Sequence, residues 1–136
     1  MAPVSYTHLD VYKRQAMLSW LEQDLATTNQ DWTIAFWHRP PYSKGHHDSD
    51  TESEMVWMRS YALPILEDAG VDLVLGGHSH AWERSYLLDG HYGLSITLTP
   101  AMILDAGDGN PQSQGAYSKI AGGHQGAVYA LSLIHI

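Results

Sequence analysis

Two histidines one residue apart follow an apolar run and two glycines, in the stretch Leu73-Val-Leu-Gly-Gly-His-Ser-His-Ala-Trp-Glu-Arg-Ser85. Imidazole nitrogen is a common metal ligand, and glycine lets the backbone pass close to a bound group. The pattern therefore predicts that His78 and His80 bind a metal ion. The alternative is that both are solvated loop residues or hydrogen-bonded histidines of the core.

A third histidine, His38, directly follows another apolar run at residues 31–37. A helix is predicted between the two runs, and a strand, helix, strand order in one sheet gives parallel pairing. Both strands then end at the same edge of the sheet, where open α/β sheets bind their ligands. His38, His78 and His80 are therefore expected to lie together and to offer nitrogen ligands suited to zinc, iron or manganese.

Composition excludes several classes of partner. The chain has 136 residues, enough for one domain, and a formal net charge of −8 with only seven Lys and Arg. A nucleic-acid groove or an anionic membrane surface would need clustered basic residues, so neither is expected. No cysteine is present, so disulfides and thiolate metal sites are excluded, and no apolar stretch is long enough to span a bilayer.

The hydrophobic pattern predicts an α/β fold. Leu18, Leu21 and Leu25 recur at helical spacing, and residues 31–37 and 71–76 have the β-branched and apolar character of buried strands. A second helix is predicted over residues 53–68, with a kink at Pro64. Asp89-Gly90 is a hairpin turn signal, and later strands are predicted near residues 101–109 and 126–131, at a β-rich edge or in a second sheet.

The two ends differ in character from the rest. Residues 1–15 lack the apolar core of a secretory signal and resemble translated adapter sequence, as do residues 131–136. The prediction is a non-native leader over residues 1–15, a native segment over residues 16–130 and a non-native tail over residues 131–136. The alternative is a native polar arm and a short terminal strand.

Two motifs resemble those of a known family. His38-Arg-Pro-Pro-Tyr42 and Gly77-His-Ser-His-Ala-Trp-Glu-Arg84 are similar to motifs of the calcineurin-like metallophosphoesterases, and within them of the purple acid phosphatase-like branch. The resemblance covers residues 17–129. It implies an αββα sandwich with a mixed sheet and flanking helices, and a centre of two metal ions (Fe, Zn or Mn) that hydrolyses phosphate esters. It also implies that His38, His78 and His80 are ligands, with His38 and His80 on different ions.

The upstream motifs of that family, D-x-H, G-D-x-x-D/Y and G-N-H-D/E, do not occur before His38. The resemblance therefore implies that this chain is a fragment, the C-terminal half of the catalytic domain, with about half of the metal site. Such a fragment is expected to be inactive alone, with hydrolysis belonging to the intact protein. Members of this branch are often exported, so a secreted or periplasmic location is the expectation by analogy, and the sequence does not indicate an oligomeric state.

Two further histidines, His46 and His47, lie in the loop between the predicted strands. They resemble the histidines of purple acid phosphatases that contact substrate without binding metal. Imidazole titrates near neutral pH, so His47 is the candidate general acid and His46 a candidate phosphate-orienting group. A solvated polar loop is the alternative. Glu83 and Arg84 are assigned a structural role beneath the histidine loop.

Two other functions stay open on sequence grounds. One is a noncatalytic module that binds a single metal ion through His38, His78 and His80. The other is a nucleotidase or phosphodiesterase of the same fold, with the same metal chemistry and a different substrate.

Overall fold

A computed structural model describes the backbone of residues 6–132 and the side chains of residues 11–132. The first five residues of the predicted leader and the last four of the predicted tail lie outside this range. The helices and strands are α1 (Tyr6–Thr27), β1 (Ile34–Phe36), α2 (Ser53–Trp57), a π-helical segment (Met58–Ala62), α3 (Leu63–Asp68), β2 (Leu73–Gly76), β3 (Glu83–Arg84), β4 (Leu87–Leu88), two 3₁₀ turns (Ser95–Thr97 and Pro100–Met102), β5 (Ile103–Asp105) and β6 (Val128–Leu131).

The main sheet is mixed and has the strand order β1-β2-β6-β3. Strands β1, β2 and β6 are parallel, and β3 pairs antiparallel with β6. The register pairs Ile34 with Leu73 and Phe36 with Leu75. The predicted mixed α/β architecture and the parallel pairing of the first two strands are confirmed, so the residues after β1 and β2 share one edge.

The hydrophobic core lies between α3 and the inner face of the sheet. Its fully or almost fully buried members come from α3, the strands and the segments before β2 and β6: Leu63, Leu66, Val71, Val74, Leu88, Ala127 and Tyr129. Leu21 and Leu25 of α1 pack against this core and are half-buried, which agrees with the predicted amphipathic helix. Removal of apolar area from water is therefore what holds α3 and the site-bearing strands together.

The prediction of a buried strand over residues 31–37 is wrong in length and in burial. Strand β1 covers three residues, and its outward side chains are largely exposed, 55% for Ile34 and 81% for Phe36. The reason is that β1 is the edge strand of the described sheet, so one side has no neighbour there. Trp20 of α1 and Trp32, two residues before β1, are also exposed. A groove of about 380 Å³ lies between α1 and β1.

The predicted helix over residues 53–68 is present but is divided into three parts. The Leu63 amide donates to the Met58 carbonyl, five residues back, which defines the π-helical segment. Pro64 lacks an N–H and cannot continue the α-helical bonding pattern, so the widened turn comes directly before it. The π-helical segment carries Arg59, which is 1% exposed and which bonds to the loop between Pro41 and Ser49.

The hairpin predicted at Asp89-Gly90 is wrong. Strand β4, which precedes this turn, pairs with β5 rather than with the residues that directly follow the turn. The chain after this turn leads instead into the first 3₁₀ turn, where the Ser95 amide and hydroxyl both donate to Asp50. Of the later strands, β5 belongs to the second sheet as expected, whereas β6 is central in the main sheet.

Among the described residues, none of the helices combines the length and the apolar character that crossing a bilayer requires.

His124 forms a charged cluster at the end of α3. Its Nδ1 lies 3.1 Å from Asp89 Oδ1 and its Nε2 lies 2.6 Å from Asp68 Oδ1. The hydrogen bonds to Asp89 and Asp68 raise the pKa of His124 above its usual value. The stabilisation is therefore fully present below the unfolded-state pKa, about 6.5, and is lost as pH rises through the folded-state pKa.

We predict that His124→Asn lowers the free energy of unfolding more at about pH 6 than at about pH 9. Asparagine tolerates the left-handed backbone at this position, where φ is 56°. Because the side chains are exposed, the effect at the lower pH should be about 0.2–1 kcal/mol. Urea unfolding of both proteins at the two pH values measures it, and an effect independent of pH would contradict the assignment.

Candidate metal centre

His38 and His78 meet at the edge of the sheet where β1 and β2 end. The Gly77 amide donates to the His38 carbonyl at 3.0 Å, which continues the pairing of the two strands to the histidines. His38 Nε2 lies 3.1 Å from His78 Nδ1, and the two rings are edge-to-face at 75°. The parallel sheet thus brings together two imidazoles that are forty positions apart in the sequence.

The backbone of the Gly-Gly-His-Ser-His loop is strained at both histidines. His78 and His80 have positive φ angles of 62° and 46°, in the left-handed region that few residues other than glycine adopt. Ser79 between them is fully buried, His78 is partly buried and His80 is exposed. Strained backbone of this kind clusters at functional sites, where the surrounding structure holds it in place.

The two glycines before His78 have different roles. A Cβ on Gly76 would lie 2.8 Å from Pro40 Cβ and 3.2 Å from Pro40 Cα, closer than carbon atoms normally pack. A Cβ on Gly77 would lie 3.8 Å from His38, an ordinary contact. Gly76 therefore allows the close approach of the loop after β1, a protein contact that the sequence interpretation had assigned to a bound group.

The loop that carries His46 and His47 is held at its base by Arg59. The Arg59 guanidinium donates to the carbonyls of Pro41 and Ser49, at 3.0 and 2.9 Å. Between these points the chain forms an isolated bridge from Lys44 to Asp48, and their side chains form an ion pair at 2.7 Å. His46 is exposed within this bridge, and His47 is half-buried.

Glu52 links His47 to His78, and sequence analysis did not identify it. His47 Nδ1 lies 2.5 Å from Glu52 Oε1, and His78 Nε2 lies 3.3 Å from Glu52 Oε2. The two imidazole rings are 3.8 Å apart between centroids. Glu52 precedes α2 at the N-cap position and makes no side-chain cap bond. A glutamate five residues after a histidine and next to a helix start is the signal that could have pointed to it.

Arg39 completes this group. Its Nη1 lies 3.1 Å from Glu52 Oε2 and 3.0 Å from His78 Nε2. Partial burial acts to raise the pKa of the Glu52 carboxyl, but hydrogen bonds from His47 and His78 outweigh it, so the pKa is lowered. Burial, with Arg39 and His47 nearby, lowers the pKa of His78. A neutral imidazole is the form that binds a metal ion, so the site favours the state that ligation needs.

One pair of side chains and one group of three, which share His78, offer donor atoms at the spacing of metal ligands. Ligands about 2.0–2.1 Å from one tetrahedral ion are about 3.3 Å apart, and the His38 and His78 nitrogens are 3.1 Å apart. His47, Glu52 and His78 also offer one ligand atom each, all within 4.8 Å of one another. His80 is outside that group of three.

A further group, Glu67, Asp89 and His124, also lies within ligand distance. Its central carboxylate is satisfied by protein donors: Glu67 accepts hydrogen bonds from the Tyr129 and Tyr92 hydroxyls and from the Gly90 amide. The buried glutamate is therefore part of the core's polar network.

Comparison with known proteins gives a consistent picture. A model of the family described as Calcineurin-like phosphoesterase matches residues 3–82. Purple acid phosphatase 18 of Arabidopsis thaliana is 36% identical over 85 residues, 60% of this chain and 18% of that protein. Acid phosphatase of Aspergillus ficuum is 35% identical over 89 residues, 63% of this chain and 13% of that protein. Purple acid phosphatase 17 of Arabidopsis thaliana is 30% identical over 101 residues, 74% and 26% of the two chains. The chain thus spans 13–26% of the length of these curated relatives.

The contrast between the two glycines gives a prediction with its own control. Gly76→Ala should lower the free energy of unfolding by about 1–3 kcal/mol, because the added methyl group overlaps Pro40. Gly77→Ala should change it by no more than about 1 kcal/mol, since the methyl group has room. Chemical denaturation followed by circular dichroism compares the two variants. Equal losses would show that the loop after β1 does not pack against Gly76 as described.

Proposed function

The chain belongs to the calcineurin-like phosphoesterase family, and from this premise we propose that it is the C-terminal half of a purple acid phosphatase-like catalytic domain. The intact protein would hydrolyse phosphate esters with a centre of two metal ions, of Fe, Zn or Mn. This chain would supply three histidine ligands and the residues that bind and protonate the substrate, and would be inactive alone.

The observation that carries the proposal is the convergence of His38 and His78 after two parallel strands. Their nitrogens, 3.1 Å apart, have the spacing expected of two ligands on one ion. His80, two residues further along and exposed, would then serve the second ion, in agreement with the resemblance described above. When bound, such a pair of ions activates a water molecule as nucleophile and stabilises the charge on the phosphoryl oxygens.

Within this site, His47 is suited to donate a proton to the leaving group. Its Nδ1 is bonded to the Glu52 carboxylate, which leaves Nε2 to carry the proton that the departing oxygen needs. A carboxylate on the far side of an imidazole fixes the orientation of the ring. Arg39 holds Glu52 by an ion pair at 3.1 Å. His46, exposed in the same loop, would contact the phosphate.

The exposed apolar surface agrees with a fragment of a larger domain. Ile34 and Phe36 on the edge strand, with Trp32 before them, are 55–81% exposed. A soluble protein seldom leaves large apolar side chains exposed side by side unless another surface covers them. In the proposed intact protein, the upstream strands of the catalytic domain would be the covering layer.

A single-metal module is the second candidate, and one observation favours it with a ligand set other than the His38, His78 and His80 expected from the sequence. His47, Glu52 and His78 offer three ligand atoms within 4.8 Å without any contribution from a further segment. In that case His47 would bind metal and would not donate protons.

The first test uses the intact protein, with the upstream segment restored, and His78→Ala. We expect about two metal ions per chain, hydrolysis of phosphate esters, and a loss of at least about 100-fold in kcat/KM in the variant. His124→Asn is the control, because the His124 side chain bonds to Asp68 and Asp89 at the end of α3. Elemental analysis and a phosphate-release assay give the readouts. A folded intact protein with one ion or none and no hydrolysis would contradict the proposal.

The role of His47 makes a separate prediction. His47→Ala should lower kcat by about 10²–10⁴-fold for an alkyl phosphate, whose leaving group needs a proton. For p-nitrophenyl phosphate, whose leaving group departs as a stable anion, the loss should be much smaller. Metal content should be unchanged. Loss of a metal ion in the variant would instead favour the single-metal module.

A further inference from the structure

We propose that Glu83 is a positioning residue that sets the place of His47 over His78. The inference rests on the proposed function and extends it to a residue that does not touch the substrate. Glu83 is the first residue of β3, and its carboxylate binds three consecutive residues of the loop between Pro41 and Ser49. This loop carries His46 and His47 and is called the histidine loop below. The Ser43 hydroxyl and the Gly45 amide donate to Oε1 at 2.9 and 3.1 Å, and the Lys44 amide donates to Oε2 at 2.8 Å.

A chain of hydroxyl groups extends this contact to His47 itself. The Ser43 and Ser79 hydroxyls are 2.6 Å apart, and the His47 amide donates to Ser79 Oγ at 3.3 Å. An ionised carboxylate only accepts, so it orients the Ser43 hydroxyl toward Glu83, and the Ser79 hydroxyl can then donate to Ser43. The bonds thus run in one direction from the His47 backbone to the Glu83 charge, an arrangement in which each strengthens the next.

Burial and packing make this connection stiff. Ser43 and Ser79 are 3% and 0% exposed, so water does not compete for their hydroxyls. A Cβ on Gly45 would lie 2.7 Å from Glu83 Oε1 and 2.9 Å from both Ser79 Oγ and Ala81 Cβ. The histidine loop is therefore packed directly against β3 and the Gly-Gly-His-Ser-His loop. We refer to Ser43, Ser79 and Glu83 as the serine–glutamate cluster.

The serine–glutamate cluster connects the loop of the proposed metal ligands, His78 and His80, to the loop of the proposed general acid, His47. Ser79 lies between His78 and His80, both in left-handed backbone, while Ser43 lies in the loop that carries His47. Glu52 fixes the His47 ring from the helix side, and the serine–glutamate cluster fixes the His47 backbone from the β3 side. Displacing a catalytic group by about 1 Å can cost about 100-fold in rate. Loosening the cluster should therefore impair proton donation before it affects metal binding.

Weakening the serine–glutamate cluster should change the rates in the same direction as His47→Ala, but by a smaller factor. Glu83→Gln keeps the size of the side chain but replaces one accepting oxygen with a donating NH₂ group, which cannot bind a backbone amide. In the intact protein, kcat for an alkyl phosphate should fall about tenfold or more, whereas kcat for p-nitrophenyl phosphate should fall by no more than about threefold. Metal content should not change. In Glu83→Gln/His47→Ala, the ratio of the two rates should be that of His47→Ala alone.

Asp72→Asn is the matched control. Asp72 is also a partly buried carboxylate that accepts a backbone amide, from Thr33 at 2.8 Å, and pairs with Lys119 at 2.8 Å. It precedes β2, at the end of the strand away from the histidines. Loss of stability alone would affect both variants, but only Glu83→Gln should change the ratio of rates between the two substrates. If Glu83→Gln does not fold, Ser43→Ala, which removes one hydroxyl, should change the ratio in the same direction.

Two outcomes would overturn the inference. An unchanged ratio in a folded Glu83→Gln or Ser43→Ala protein, with a changed ratio in His47→Ala, would reject the positioning role and leave the proposed function intact. A wild-type protein without hydrolysis, or a His47→Ala variant with an unchanged ratio, would reject the role assigned to His47 and the inference with it.

Discussion

The parallel pairing of β1 with β2 is the interaction on which the candidate site depends. It aligns Ile34 with Leu73 and Phe36 with Leu75. His38 lies two residues after Phe36, and His78 lies three residues after Leu75, so the two histidines leave the sheet side by side. Burial of Val74, Leu63 and Leu66 beneath the sheet holds this register, because a shift by one residue would move apolar side chains out of the core. The 3.1 Å separation of the two histidine nitrogens is therefore a consequence of hydrophobic packing.

Next to this pair, two charged side chains have opposite effects on the pKa of His78. Arg39 and Glu52 are the main charges near His78: the first disfavours a protonated imidazole and the second favours it. Burial decides the balance, so the pKa of His78 is lowered. The neutral ring that results is suited to ligation, while Glu52 stays ionised and available to orient His47. In an acidic chain with few basic residues, bound metal cations would supply the positive charge that a phosphate ester requires.

Much of the fold and the position of His38 and His78 could be predicted from the sequence, because strand, helix, strand order and the glycines after β2 are local patterns. The contact of Glu52 with His78 and the hydrogen bonds within the serine–glutamate cluster could not, although a structural role was expected for Glu83. Glu52 and His78 are 26 positions apart, Ser43 and Glu83 are 40 positions apart, and Glu and Ser in a polar loop have no periodicity that reveals such a tertiary contact. The exposure of Phe36 also escaped prediction, since an apolar run indicates a strand but not whether a second layer covers it.

The most direct test of the account is to titrate this chain with zinc and to observe its histidine ring nitrogens by ¹⁵N nuclear magnetic resonance. Zinc should shift the nitrogens of His38 and His78 at the lowest metal concentrations, with His80 following, while the nitrogens of His91 and His124 stay unchanged. His47 should keep its bond to Glu52 and should not show a directly metal-bound nitrogen. Early ligation of His47 together with His78, and no change at His38, would contradict the proposed ligand set and favour the single-metal module.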